Sequence, residues 1–96
     1  MASNINYLNF VLNQLSDLDN ITYKKMMGEF LLYYDGILIG GIYDDRFLIK
    51  KTKSVESLGL KEVIPYETAK PMLLVDTEDS KEIAKLIDLV IKDLKA

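Results

Sequence analysis

The sequence predicts an α+β fold: a helix, a four-stranded antiparallel meander, a short helix, a strand and a last helix, arranged in two layers. Three observations predict it. Apolar residues recur at spacings of three and four near both ends of the chain. Between them, residues 26–51 read as three apolar runs. Those runs are joined by two tight-turn signals, Asp35-Gly36 and Asp44-Asp45, as in a meander.

The first helix is expected over about residues 4–17, where Tyr7, Leu8, Val11, Leu12, Leu15 and Leu18 share one face. Ser3 is the expected N-cap, and Asn6, Asn9, Asn13 and Gln14 fall on the wet face. Asp17-Leu18-Asp19-Asn20 ends the helix. Ile21 to Met26 reads as the first strand, with β-branched and aromatic residues at its start. Gly28 is expected to mark a bend or bulge before a second strand from Glu29 to Tyr34. Asp35-Gly36 suits a two-residue type I′ turn, which needs positive φ at both centres. A third strand then runs from Ile37 to Tyr43 and a fourth from Arg46 to about Lys51. The turn between them, Asp44-Asp45, is a weaker signal because aspartate enters the left-handed region less readily than glycine.

Turn positions imply a register. It pairs Tyr34 with Ile37, Leu32 with Ile39, Phe30 with Gly41, Tyr43 with Arg46 and Ile42 with Phe47. One face then collects Phe30, Leu32, Tyr34, Ile37, Ile39, Tyr43 and Leu48; the other collects Leu31, Tyr33, Leu38, Ile42, Phe47 and Ile49. Both faces are apolar, whereas a sheet with one wet face should alternate. With at most three helices to cover it, one face is expected to meet a partner. Gly40-Gly41, inside a strand, is read as a close approach of a helix or a neighbouring backbone.

Lys53 to Leu58 suits a short helix and Gly59 to Ala69 a loop. Pro71 opens a fifth strand through Val75, where its missing N–H is tolerated. Asp79-Ser80-Lys81-Glu82 fits a capping box with aspartate as the cap. The last helix turns Ile83, Leu86, Ile87, Val90, Ile91 and Leu94 inward, with Lys92 and Lys95 at its negative dipole end.

Composition excludes more chemistry than it suggests. The 96 residues make one domain, with 49% hydrophobic and 28% charged residues, a globular balance. No apolar run approaches the ~20 residues that span a bilayer, and no signal peptide is visible, which fits a cytoplasmic protein. Cysteine and histidine are both absent, which removes thiolate chemistry, imidazole acid–base catalysis and histidine-ligated zinc. No phosphate-loop motif occurs. Asp44 and Asp45 are read as a wet turn, and Asp76, Glu78 and Asp79 as loop solvation and helix capping. The chain is therefore expected to be no enzyme and to need no cofactor. With net charge −3 and a single arginine, Arg46, direct nucleic-acid binding is not expected despite the local patch of Lys50, Lys51 and Lys53.

Six tyrosines are the more suggestive resource, because tyrosine offers area and a hydroxyl at low entropic cost. Tyr33, Tyr34 and Tyr43 belong to the sheet, and Tyr23 and Tyr66 lie near it. The simpler reading holds most of them half-buried in the core, and reads Met26 and Met27 as core filling in preference to adaptable contacts. The candidate contact residues are Tyr23, Tyr33, Tyr34, Tyr43, Arg46 and Lys50. They would serve a protein partner or a second copy of the chain. In an alternative reading they would serve a small anionic ligand, held between the sheet and the last helix with Arg46 or Lys50 at the mouth.

One resemblance adds to this reading. Ile21-Thr22-Tyr23-Lys24-Lys25-Met26-Met27-Gly28-Glu29, then Tyr33-Tyr34-Asp35-Gly36, Asp44-Asp45-Arg46-Phe47-Leu48-Ile49-Lys50 and Lys70-Pro71-Met72, resemble the N-terminal domain of the TfoX/Sxy competence regulators. The resemblance runs over nearly the whole chain, and its motifs are structural rather than catalytic. Where many members have Met-Phe-Gly-Gly, this chain has Met27, Gly28 and Glu29, losing the second glycine. The resemblance implies a secretion-chaperone-like α+β fold and a co-activator role beside a DNA-binding regulator. Full-length members carry a second, helical domain, so this chain is expected to be a stand-alone version of the first.

Overall fold

The structure, a computed structural model, describes residues 4–95. It contains α1 (Ile5–Gln14), β1 (Ile21–Met26), β2 (Glu29–Tyr34), β3 (Ile37–Tyr43), β4 (Arg46–Lys50), α2 (Lys53–Glu56), β5 (Glu62–Val63), β6 (Met72–Leu74) and α3 (Ser80–Lys95). The α+β order expected from the sequence is present, with one addition. The segment read as a loop after Gly59 contains the short β5, so the sheet has six strands, in the order β1-β2-β3-β4-β6-β5. Every neighbouring pair is antiparallel. No helix among the described residues is long and apolar enough to cross a membrane.

The first helix is shorter than its apolar spacing suggests. Asn4 caps it, its side chain accepting the Asn6 N–H at 2.7 Å. Ser3, the expected cap, lies outside the described residues. The Asn4 N–H in turn donates to Asp45 Oδ1 at 2.6 Å, tying the start of α1 to the β3–β4 turn. At α3, Asp79 caps as expected by accepting the Lys81 N–H at 2.9 Å. The box closes through an intermediary. The Thr77 hydroxyl donates to Glu82 at 2.8 Å and accepts the Asp79 N–H at 3.1 Å.

Three hairpins make the meander, and all three turn through two residues with positive φ: Met27-Gly28 (52°, 84°), Asp35-Gly36 (52°, 81°) and Asp44-Asp45 (53°, 56°). That is the type I′ signature, whose twist matches the flanking strands. Gly28 is thus the second residue of a tight turn, not a bend or bulge, and Met26 pairs directly with Glu29.

The bulge lies elsewhere and corrects the register. Tyr34 pairs with Ile37 and Tyr33 with Leu38, but Leu32 pairs with Gly40, Leu31 with Gly41 and Phe30 with Ile42. Ile39 is the extra residue, so the expected pairs Leu32–Ile39 and Phe30–Gly41 do not form. Side chains alternate with period two, so one inserted residue exchanges the faces of everything beyond it. Ile42, Phe47 and Ile49 join Phe30, Leu32, Ile37 and Ile39 on the helix side, in one core cluster with Leu8, Val11, Ile83 and Ile87. Tyr43 and Leu48, expected with Phe30, turn instead to the rear face, where the ladder sets Leu48 beside Gly41 and Leu74.

Gly40-Gly41 permits this. A Cβ on Gly40 would collide with the Leu48 carbonyl oxygen and lie 2.8 Å from Ile49 Cα, both of them backbone on β4. A Cβ on Gly41 would lie 2.6 Å from the Phe30 carbonyl oxygen and 2.8 Å from the Tyr43 ring. The close approach is therefore between strands and not between helix and sheet.

α2 is a single turn pinned to α3. Asp93 accepts the Ser54 hydroxyl at 2.7 Å and the Ser54 N–H at 2.8 Å. These two bonds, the hydroxyl first, hold the Asp93 carboxyl below its usual range.

Two predictions follow from the packing. Ile87→Ala should lower stability by about 2–5 kcal/mol in urea unfolding, as a buried large-to-small change does. Gly40→Ala adds one methyl yet should cost at least as much, because rigid backbone stands in its way; a loss under about 0.5 kcal/mol, the size of an ordinary surface change, would contradict the close approach. A third concerns pH. A depressed carboxyl contributes stability above its unfolded value, near pH 4, that is lost as pH falls through the folded one. Asp93→Asn should therefore be less stable than the parent chain at pH 7, with the gap closing as pH falls below the ordinary carboxylate range in acid unfolding monitored by circular dichroism.

Candidate functional site

All three helices serve the front of the sheet: α1 with its C-cap through Leu8, Val11 and Leu15, α3 through Ile83, Ile87, Val90 and Ile91, and α2 through Val55. The rear face is covered differently. The segment 64–71, between β5 and β6, folds back across it. A turn closed by the Ala69 N–H to the Tyr66 carbonyl at 3.0 Å holds this segment, with Thr68 at φ 75°. Tyr66 meets Tyr43 with ring centroids 6.2 Å apart. Tyr43 lies over Gly41, whose missing side chain makes room for the ring, and is 8% exposed. Burial first, then the proximity of Tyr66, Glu29 and Tyr33, raises its phenol above the usual value.

Between this segment and the sheet lies a cavity of about 410 Å³. Tyr43, Tyr66, Lys50, Lys51 and Lys70 line it, over an apolar floor that includes Leu38 and Met72. Lys50 reaches it because its strand position pairs with Met72 on the rear face. Lys51 is held by Glu62, Nζ to Oε1 2.7 Å, and that hydrogen bond raises its pKa. A smaller cavity, about 150 Å³, lies between α1 and residues 75–78, where Gln14 Nε2 donates to the Glu78 carbonyl at 3.3 Å.

The six candidate residues thus divide. Tyr43 and Lys50 are brought together. Arg46 is not with them: it follows the β3–β4 turn, and its Nε donates to the Tyr43 carbonyl at 3.3 Å. Tyr34 packs against the front core, and Tyr33, half-buried, belongs to the rear ladder beside Leu38. Tyr23 is on β1, its ring edge-on to Phe30 at 6.0 Å. The expected ligand site between sheet and last helix is occupied by packed core; the cavity that gathers tyrosine and lysine is on the opposite face. Sequence reading passed over Lys70 and Tyr66 as cavity residues because nothing local in residues 64–71 reveals that they fold back on the sheet.

A second feature is the β1–β2 hairpin. β1 is the sheet's first strand, and from Thr22 to Met26 every residue is exposed. Tyr23 and Met26 are about half exposed and Met27, at the tip, is 95% exposed. Core filling, the simpler reading of the two methionines, is therefore wrong: the two-residue turn places Met27 in water and leaves Met26 half exposed beside it. Met27 also adopts φ 52°, a conformation in which a side chain other than glycine or asparagine is strained.

Comparison with protein-family models finds no match, and comparison with curated proteins finds none either.

Met27→Asn, better suited to the left-handed tip, should raise stability by about 1 kcal/mol in urea unfolding, because it removes strain without removing a core contact. A neutral or destabilising result would mean that the methionine side chain packs on the molecule itself.

Proposed function

We propose that this chain is a non-enzymatic regulatory domain that acts by protein–protein contact through the β1 edge and the β1–β2 hairpin. The observation that carries this reading is an exposed outer strand that presents Tyr23 along its length and Met26 and Met27 at its tip. A strand edge offers unpaired N–H and C=O groups to an incoming extended segment. Methionine is the most adaptable of apolar contacts, and a strained apolar residue held in water has no stability rationale of its own. Lys24 and Lys25 at mid-strand work against pairing with a second β1 and favour a segment that carries carboxylates. The role agrees with what the resemblance to the TfoX/Sxy N-terminal domain implies, since those proteins act beside another regulator.

The test is light scattering over a dilution series, combined with amide hydrogen exchange. A monomer with fast-exchanging β1 amides, slowed when an extended acidic partner peptide is added, is the expected result. A homodimer that protects β1 would place the same edge in a self-contact. A homodimer that leaves β1 unprotected, or β1 amides already protected in the monomer, would overturn the proposal.

A further inference from the structure

We propose that the rear cavity is a binding site for a small organic anion with a flat aromatic body, its charge held by Lys50 and Lys70 and its ring by Tyr43 and Tyr66. The site is on the face away from the helices and does not depend on the hairpin reading, so the two stand or fall separately.

Four features of the cavity converge. Its volume, about 410 Å³, falls in the range of small-molecule pockets. Its charge runs against that of the molecule. The chain carries 15 carboxylates against 12 cations, yet three lysines and no carboxylate line this cavity among the described residues. Lys51 is neutralised by Glu62, which leaves the ammonium groups of Lys50 and Lys70 to face an anion from two sides, one on β4 and one at the end of the covering segment. Lysine ammoniums are compact point charges that hold a phosphate or carboxylate without demanding the planar fork that arginine imposes.

The walls specify the rest of the ligand. Tyr43 is seated over Gly41 and meets Tyr66 at 45° between ring planes, so the two rings form one tilted wall of the cavity. Leu38, Met72 and the two prolines, Pro65 and Pro71, supply the remaining apolar surface. The prolines also stiffen the covering segment, so less entropy is lost when a ligand orders it. Tyr66, 61% exposed, supplies most of the accessible ring surface of that wall. Buried apolar contact then supplies affinity, and the two ammoniums fix orientation.

The experiment is a titration of the full ¹⁵N-labelled chain with 4-methylumbelliferyl phosphate, followed by amide shifts, with 4-methylumbelliferone and inorganic phosphate as the uncharged-body and bodiless controls. Saturable shifts are expected in residues 38–43, 50–51 and 65–72, with β1 undisturbed. Each control should bind at least about tenfold more weakly, as should the Lys50→Gln, Lys70→Gln double variant. Both lysines are outside the core, and the variant's spectrum shows directly whether it is folded. Tyr66→Ala should weaken the aryl phosphate but leave the response to inorganic phosphate unchanged. Shifts centred elsewhere, an affinity unmoved by removing both lysines in a folded variant, or no saturable shift with any of the three probes would overturn the assignment.

Discussion

The whole arrangement depends on how closely three strands approach one another at Gly40-Gly41. There the backbone of β3 lies nearer to β2 and β4 than any side chain would allow, and the strand absorbs one extra residue, Ile39, just before it. Because a strand presents alternate residues to opposite faces, this slip decides the orientation of everything that follows. With it, Ile39 and Ile42 both reach the helix layer, and Phe47 and Ile49 complete the core. Without it, Ile42, Phe47 and Ile49 would face away from the helices. The bulge also gives the rear face its character, because it sends Tyr43, Leu48 and Lys50 there together.

Most of the architecture was legible in the sequence for reasons that are local. The helices announce themselves by apolar spacing, and every residue assigned inward, from Tyr7 to Leu94, is in or against the core. Asp35-Gly36 and Asp44-Asp45 are turns because the backbone there needs positive φ, and the residue types say so. What was not legible is non-local. A bulge has no composition of its own; Gly40-Gly41 signals a close approach but not on which side the extra residue falls. The methionines at the hairpin tip read as core because an apolar side chain next to a strand usually is. Only the tight turn at Met27-Gly28, where Gly28 alone suggested a bend or bulge, places Met27 in water and Met26 half in it. The candidate site divides in the same way. Tyr43 and Lys50 were found from the sheet, whereas Tyr66 and Lys70 come from a segment whose path is set by β5 and β6 pairing at the far edge.

Two surfaces of opposite kind result. The hairpin is apolar at its tip, with lysines along its strand, and suits a macromolecular contact. The rear cavity is a concave, cationic space in an anionic molecule. They lie toward opposite edges of one sheet, connected by β2 and β3, the two strands that flank the bulge. With neither histidine nor cysteine in the chain, neither surface carries an imidazole or a thiol.

The strand order also has a consequence for the path of folding. From β1 to β4 each strand pairs with its sequence neighbour through a two-residue turn, so these contacts close short loops and carry little entropic penalty. β6 is different: it inserts between β4 and β5, joining Lys50 to Met72 across a long excursion. Loop-closure entropy therefore favours the meander as the first part of the sheet to pair, with the far edge after it. The segment that covers the rear cavity belongs to that far edge. Closing that edge joins residues far apart in the chain, so the covering segment is placed only once β6 has paired, at a greater entropic cost than any hairpin of the meander.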